Sequence, residues 1–243
     1  MSRIYLPGRS DRMTQLLYRY PLGLNTVLLI HSDDAESSQT FVDSVNAREI
    51  TAVGNVKHTH LKQKFGASSI YFDGNDSLTL ADNADWDAGA GTFTYDFWVM
   101  FDDVAANQGL ISKYTNDTFC WYARWDFSEG KLIFSNINGV SVNDIKVTFS
   151  PSANVWYHIA IIRGWDGNND NMTFCVNGSE GEVTDVSVPA LNMAPTNSGV
   201  LNIGRSISPL ESCYLRGYID EFRMDKGHSI WEANFTPPKG MYI

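Results

Sequence analysis

The chain has 243 residues, a formal net charge of −10, 43% hydrophobic residues and 13% aromatics. That content excludes a disordered chain, and no apolar run approaches the roughly 18 residues of a membrane-spanning helix. A pI near 4.8 excludes a basic nucleic-acid surface, and the opening MSRIYLPGRSDRM lacks the apolar stretch of a secretory signal.

The head of the chain differs in sign from the rest. Residues 1–25 hold Arg3, Arg9, Arg12 and Arg19 against Asp11 alone, while the remainder is strongly acidic. Pro7, Gly8, Pro21 and Gly23 interrupt any long element there. Tyr5, Leu16, Leu17, Tyr18 and Tyr20 add an apolar character that needs a surface to lie on. Residues 1–25 therefore read as an extended arm that anchors the chain to a partner or a second copy, and 26–243 as one domain. A frayed tail is the alternative for the arm. An arm of this length reaches on the order of 80 Å, enough to be exchanged in a symmetric oligomer, with a trimer favoured.

From Val27 onward the period is two. TFTYDFWVMF at 92–101 alternates, with Phe93, Tyr95, Phe97, Val99 and Phe101 on one face. Thr118–Trp125, Val155–Arg163 and Met172–Val176 read as strands in the same way. Shorter candidates are 27–31, 68–72, 78–81, 131–135, 140–149, 199–204 and 214–224. Asp73-Gly74, Glu129-Gly130, Asn138-Gly139, Asp166-Gly167 and Asn177-Gly178 supply turns between them. Short strands at roughly 8–15-residue spacing predict an all-β, antiparallel sandwich with less than about 10% helix. Phe93, Tyr95, Phe97, Val99, Phe174, Ile219 and Phe222 are its candidate packing residues.

The chemistry-bearing residues are sparse. Cys120, Cys175 and Cys213 are odd in number, far apart and outside any zinc spacing, and read as buried, inert thiols of a reducing compartment. Asp166, Asn168 and Asp170 start like a calcium loop, but Asn171 and Asn177 stand where glycine and glutamate are required, so a hairpin loop is expected. No Glu-x-Asp pair exists to supply the carboxylates of a sandwich-fold glycosidase, and Asp220-Glu221 are neighbours that a strand sends to opposite faces. No nucleophile–base pair is apparent, and the chain reads as non-enzymatic. His58 and His60 read as exposed strand-edge residues and His158 as a hydrogen-bonded core histidine. Trp121, Trp125 and Trp165 are candidate sugar-stacking residues. Core packing takes those of the inward phase, and Trp165, opening a loop, is expected to be the most exposed.

Several segments together resemble one family. VLLIHSDD at 27–34, KFGASSIYFDGNDSLTLADNADWD at 64–87, GTFTYDFWVMF at 91–101, VWYHIAIIR at 155–163, MTFCVNG at 172–178 and LNIGRS at 201–206 are similar to the laminin-G-like, concanavalin A-like jelly roll. The closing YLRGYIDEFRMDKGHSIWEANFTPP at 214–238 is similar to the version found in tailed-phage structural proteins. The resemblance implies two stacked sheets, one concave, and a binding or structural role. It points to a virion protein, made in the host cytoplasm, that decorates a phage capsid or tail through protein–protein contacts. The alternative is a carbohydrate-binding module that adsorbs to host or surface glycans. No nucleic acid or membrane partner is implied and no cofactor beyond a structural Ca²⁺, for which Asp33 in HSDD and Asp220 in YIDEFR match the family position between first and last strands.

Overall fold

The computed structural model describes residues 23–186 and 198–243. The arm of 1–25 therefore lies outside the described residues, except for its last three. In chain order the strands are β1 (Thr26–Ile30), β2 (Phe41–Val42), β3 (Glu49–Val53), β4 (Lys57–Thr59), β5 (Ser69–Asp73), β6 (Ser77–Leu80) and β7 (Phe93–Phe101). There follow β8 (Gln108–Asn116), β9 (Phe119–Asp126), β10 (Lys131–Asn138), β11 (Ser141–Thr148), β12 (Trp156–Arg163) and β13 (Met172–Val176). The chain closes with β14 (Ser179–Glu180), β15 (Val183–Val186), β16 (Leu201–Ile203), β17 (Arg205–Ile207), β18 (Ser212–Tyr214) and β19 (Arg216–Lys226). Helix is confined, among the described residues, to short 3-10 turns at Ala84–Trp86 and Trp165–Gly167.

Two antiparallel sheets stack face to face. One runs β14-β13-β12-β7-β19-β5-β4, with β1 also paired to β19; the other runs β15-β11-β10-β9-β8-β16-β6-β3-β2. The expected sandwich is what forms, and the reason is the alternation itself. Phe93, Tyr95, Phe97, Val99 and Phe101 on β7 are fully buried between the sheets with Phe72, Trp121, Phe134, Phe174, Ile219 and Phe222. Two departures from simple alternation shape the second sheet. Lys113 on β8 points into the core and is held there by Asp82 and Asp87 at 2.9 and 2.6 Å. The β17–β18 hairpin lies on the outside of this sheet, so close that a Cβ on Gly109 would sit 2.2 Å from the Cys213 carbonyl oxygen.

The outer face of the first sheet is mostly covered. Residues after β19 fold back across it: Trp231 stacks on Phe235 at 3.8 Å, and Trp231 joins Ala160, Ile162, Trp165 and Cys175 in a second apolar cluster. His158, as expected, is a buried histidine with a partner, its Nε2 3.0 Å from the Asp96 carboxylate. The loop before β5 covers the next part of the same face, with Lys64 Nζ 3.7 Å above the Trp98 ring and Phe65 edge-on to it.

Candidate functional site: an open aromatic row and a carboxylate cluster

One register level of this outer face is accessible at its two ends and nearly buried in between. Pairing brings Lys57 on β4 opposite Tyr71 on β5, Tyr71 opposite Tyr218 on β19, Tyr218 opposite Met100 on β7, and Met100 opposite Trp156 on β12. Residues paired across antiparallel strands share a face, so five strands contribute to one row, in which Met100 on β7 is buried beneath its neighbours. Tyr71 and Tyr218 lie 5.1 Å apart between ring centroids, and Trp156 follows at 6.5 Å from Tyr218. Tyr71 and Trp156 are half-buried, while Tyr218 between them keeps only a small exposed area.

The backbone makes room for this row. Gly217 has φ +152, and a Cβ there would meet the Met100 carbonyl oxygen at 2.1 Å, so only glycine lets β19 approach β7 at the row.

The row's polar tips are uncommitted. Among the described residues, the Tyr71 and Tyr218 hydroxyls, the Trp156 indole N–H and the Lys57 ammonium make no hydrogen bond or ion pair, and the Asp102 carboxylate makes no hydrogen bond while the charges of Lys62 and Arg216 act on it. Burial, with the negative charges of Asp102 and Asp73, pushes the Tyr71 hydroxyl up; burial and Asp102 push Tyr218 to about 12. Both phenols therefore remain hydrogen-bond donors at neutral pH. At one end the row runs into an open pocket of about 380 Å³ lined by Ser37, Gln39, Asn55, Lys57, Tyr71 and Asp73. Beside it a rim forms where Lys62 Nζ donates to Asn154 Oδ1 at 3.3 Å and the Arg216 guanidinium lies 4.0 Å from Asp103.

A second cluster lies where the first and last long strands meet. Asp220 is fully buried on β19; its Oδ2 accepts the Lys64 and Phe65 amides at 2.8 and 3.0 Å, and its Oδ1 has no hydrogen-bond partner. Burial, reinforced by the charges of Glu221 and Asp33, holds the Asp220 carboxyl well above the usual range. Asp33, exposed after β1, accepts the Ala67 amide at 2.6 Å, and Gly66 (φ +63) passes so near that a Cβ would lie 2.1 Å from its Oδ1. The opposite-face reading of Asp220-Glu221 meets a bulge: register shifts between Asp220 and Arg223, and Glu221 takes φ +51. Glu221 thereby accepts from His31 at 2.9 Å and from the Tyr242 amide at 2.8 Å. Among the described residues no three His, Cys, Asp or Glu side chains gather around one point as a cage. Asp220 keeps one buried carboxylate oxygen without a hydrogen-bond partner, and the negative charge of Asp33 acts on it.

Other residues singled out from sequence fall elsewhere. Trp121, Trp125 and Trp165 are 0, 4 and 4% exposed, so none presents a face to solvent. Trp121 packs against Tyr95 and Phe134, and Trp125 donates to the Phe149 carbonyl at 3.3 Å. The expected exposure of Trp165 is corrected: the returning C-terminal residues bury it with Trp231. His58 is also not an exposed edge residue. It is 2% exposed, bonded to Ser32 Oγ and the Thr40 carbonyl and stacked on Phe41, whereas His60 is exposed. The loop at Asp166–Asp170 is the hairpin connection between β12 and β13, as expected. Cys120, Cys175 and Cys213 are buried free thiols, each pushed by burial to about 12.

Comparison with solved structures returns domain 4 of AbnA, an extracellular arabinanase of Geobacillus stearothermophilus solved with arabinotriose. Its TM-score is 0.62 at 14% identity, over 84% of this chain and 94% of that one. The binding domain of Paraclostridial Mosquitocidal Protein 1 matches with a TM-score of 0.61 at 16% identity, over 86% of this chain and 50% of that one. The binding domain of botulinum neurotoxin DC, solved with SialylT, matches at 0.58 and 15% identity, over 86% and 49%. This chain thus spans about half the length of the toxin binding domains. A comparison with curated proteins returned no match. At these identities the solved structures establish the fold, and the sequence itself establishes the family. Through residues 72–227, the chain belongs to the concanavalin A-like lectin/glucanase superfamily.

Proposed function

We propose that this protein is a non-catalytic carbohydrate-binding module and that its site is the open row of Tyr71, Tyr218 and Trp156. The row itself carries the reading. The half-buried rings of Tyr71 and Trp156 supply apolar surface for sugar C–H groups on either side of the nearly buried Tyr218, and the phenols, indole N–H, Lys57 and Asp102 beside them have hydrogen-bonding capacity that no described residue uses. Uncommitted polar groups interleaved with aromatics are what a polyhydroxylated ligand needs, since each hydroxyl lost from water must regain a partner. Support comes from the similar folds: the arabinanase domain was solved with arabinotriose, and cell entry of botulinum neurotoxin type C depends on interaction with two ganglioside molecules.

Asp33 and Asp220, with neighbouring backbone carbonyls, would hold a structural Ca²⁺ that ties β1 to β19. The ion's role there is to join chain segments, with no part in a reaction.

Display on a tailed-phage virion is compatible with this reading and concerns where the module sits. It draws on the likeness of 214–238 to phage structural proteins and on the arm of 1–25 as an anchor for a capsid or tail partner. A printed glycan array with neutral and sialylated glycans tests the carbohydrate function. Binding that disappears in the Tyr71→Ala/Trp156→Ala double variant, with its melting curve intact, supports it. Absence of binding to every glycan removes it. A pull-down against capsid and tail proteins separates virion display from a free lectin.

A further inference from the structure

Granted the carbohydrate reading, on which this assignment rests, we infer that the ligand is a neutral oligosaccharide lying across the strands. Its terminal unit sits in the pocket beside Tyr71 and its chain continues over Tyr218 to Trp156.

Three observations carry this. The first is length. Lys57 and Trp156 stand at one register level on the first and last of five neighbouring strands. At about 4.8 Å per strand spacing, the row runs roughly 19 Å, several times the width of one sugar ring. A monosaccharide in the pocket would cover Tyr71 and leave the half-buried Trp156 indole uncovered.

The second is the contrast between the two ends. At the Lys57 end the row enters a concave pocket of about 380 Å³, while at the Trp156 end it presents a half-buried indole. The pocket has room for one saccharide unit and can be reached along the row, so it suits a chain end, with further units stacked outward.

The third is charge. The pocket sets Lys57 against Asp73 and fills the rest with Ser37, Gln39 and Asn55. Along the rim Lys62 and Arg216 are balanced by Asp102 and Asp103. Three cations stand among three anions, with no excess of either sign to attract a carboxylate or sulfate. Mixed donors and acceptors of this kind pair with hydroxyl groups, which both donate and accept. A sialylated or sulfated glycan would place its anion next to Asp73 or Asp102 as readily as next to a lysine.

The test is binding of length-defined neutral series (arabino-, cello-, malto-, xylo- and chito-oligosaccharides of one to six units) and of sialylated oligosaccharides, to the full chain. Hits are followed by titration calorimetry. The expected result is affinity that rises about tenfold or more from one to four units of a neutral series. Lys57→Ala should weaken every length about tenfold, because the terminal unit is always in the pocket. Trp156→Ala should weaken the tetrasaccharide while leaving the disaccharide unchanged. Melting curves of both variants, each at an accessible side chain, confirm that they are folded. Affinity independent of length, preference for sialylated over neutral glycans, or equal loss of all lengths in Trp156→Ala would overturn the assignment and leave the carbohydrate function standing. Failure to bind any member would overturn the carbohydrate function as well.

Discussion

Asp96 on β7 and Arg223 on β19 meet at 2.8 Å between Oδ1 and Nε, with both side chains buried. The same carboxylate accepts from His158 on β12 at 3.0 Å and from the Tyr242 hydroxyl near the C-terminus. Arg223 in turn lies 3.5 Å from Asp225 and stacks its guanidinium 4.0 Å from the Tyr242 ring. One carboxylate thus joins three elements of the first sheet to the segment that covers it. The Tyr71 and Trp156 ends of the aromatic row remain accessible beyond the edge of that covered region.

Breaking this pair should cost far more than a surface ion pair. Asp96→Ala leaves the buried Arg223 without its closest counter-charge, and a loss of about 3–5 kcal/mol is expected in urea unfolding. The pH dependence follows from the direction of the shift. Burial alone would raise the Asp96 carboxyl, but the charges and hydrogen bonds of Arg223 and His158 outweigh it and hold it below the ordinary carboxylate value. A depressed folded-state value contributes stability that is complete above the unfolded range, near pH 4, and is withdrawn as pH falls through the lower folded value. The stability gap between wild type and Asp96→Asn should therefore be constant from pH 7 to 5 and shrink below about pH 4. A gap that stays constant down to pH 2.5 would show that Asp96 does not titrate in this way.

The tryptophans divide into two classes by substitution. Trp121→Ala and Trp125→Ala each empty a ring-sized volume in the core, and a loss of about 3–5 kcal/mol is expected for either. Trp156→Ala, at a half-buried position on the outer face, should leave the unfolding midpoint nearly unchanged and weaken binding of longer glycans. Paired denaturation and binding curves read both effects, and the opposite pattern would move the site into the sheet interior.

Much of the sandwich was legible because its core strands obey one rule. On β7 each inward residue is aromatic or valine, so periodicity alone identified Phe93 through Phe101 as packing residues. β8 escaped because Lys113 faces inward, and a charged residue at a core phase breaks the alternation that pattern reading depends on. Trp165 was misplaced for a different reason: it sits in a local turn, and what buries it is Trp231, 66 positions later in the sequence. The aromatic row was out of reach for the same non-local reason. Lys57, Tyr71, Met100, Trp156 and Tyr218 lie on five strands, each at the phase that pattern reading assigns to solvent. Only the inter-strand register puts them side by side.

Gly217 offers a check on how tightly that register is held. Its φ of +152 and the 2.1 Å approach of a built Cβ to the Met100 carbonyl leave no space for a side chain. Gly217→Ala should push β19 away from β7 next to Tyr218, destabilising the fold by about 1–3 kcal/mol and weakening glycan binding beyond what Tyr218→Phe does. Normal stability together with normal binding in Gly217→Ala would mean that the two strands can separate locally without disturbing the row.

The cluster at Asp33 and Asp220 makes the last prediction. Without a cation, burying Asp220 leaves one oxygen with no partner and places the group near two further carboxylates, Glu221 and Asp33. Each of these features is unfavourable alone, and a divalent ion bound through carboxylate and carbonyl oxygens would relieve both. An ion that binds only the folded chain stabilises it by about 2.7 kcal/mol at a concentration 100-fold above its dissociation constant. The melting temperature should therefore rise on moving from EDTA to millimolar CaCl₂. Magnesium should substitute poorly, because it demands near-octahedral geometry and gives up its water reluctantly. Asp220→Asn removes the charge while keeping the shape, and should abolish the calcium-dependent rise; Asp33→Asn should reduce it. Glycan binding by the EDTA-treated protein, measured below its lowered melting point, should be unchanged, since the aromatic row draws on neither carboxylate. Identical melting in EDTA and in calcium would rule the ion out.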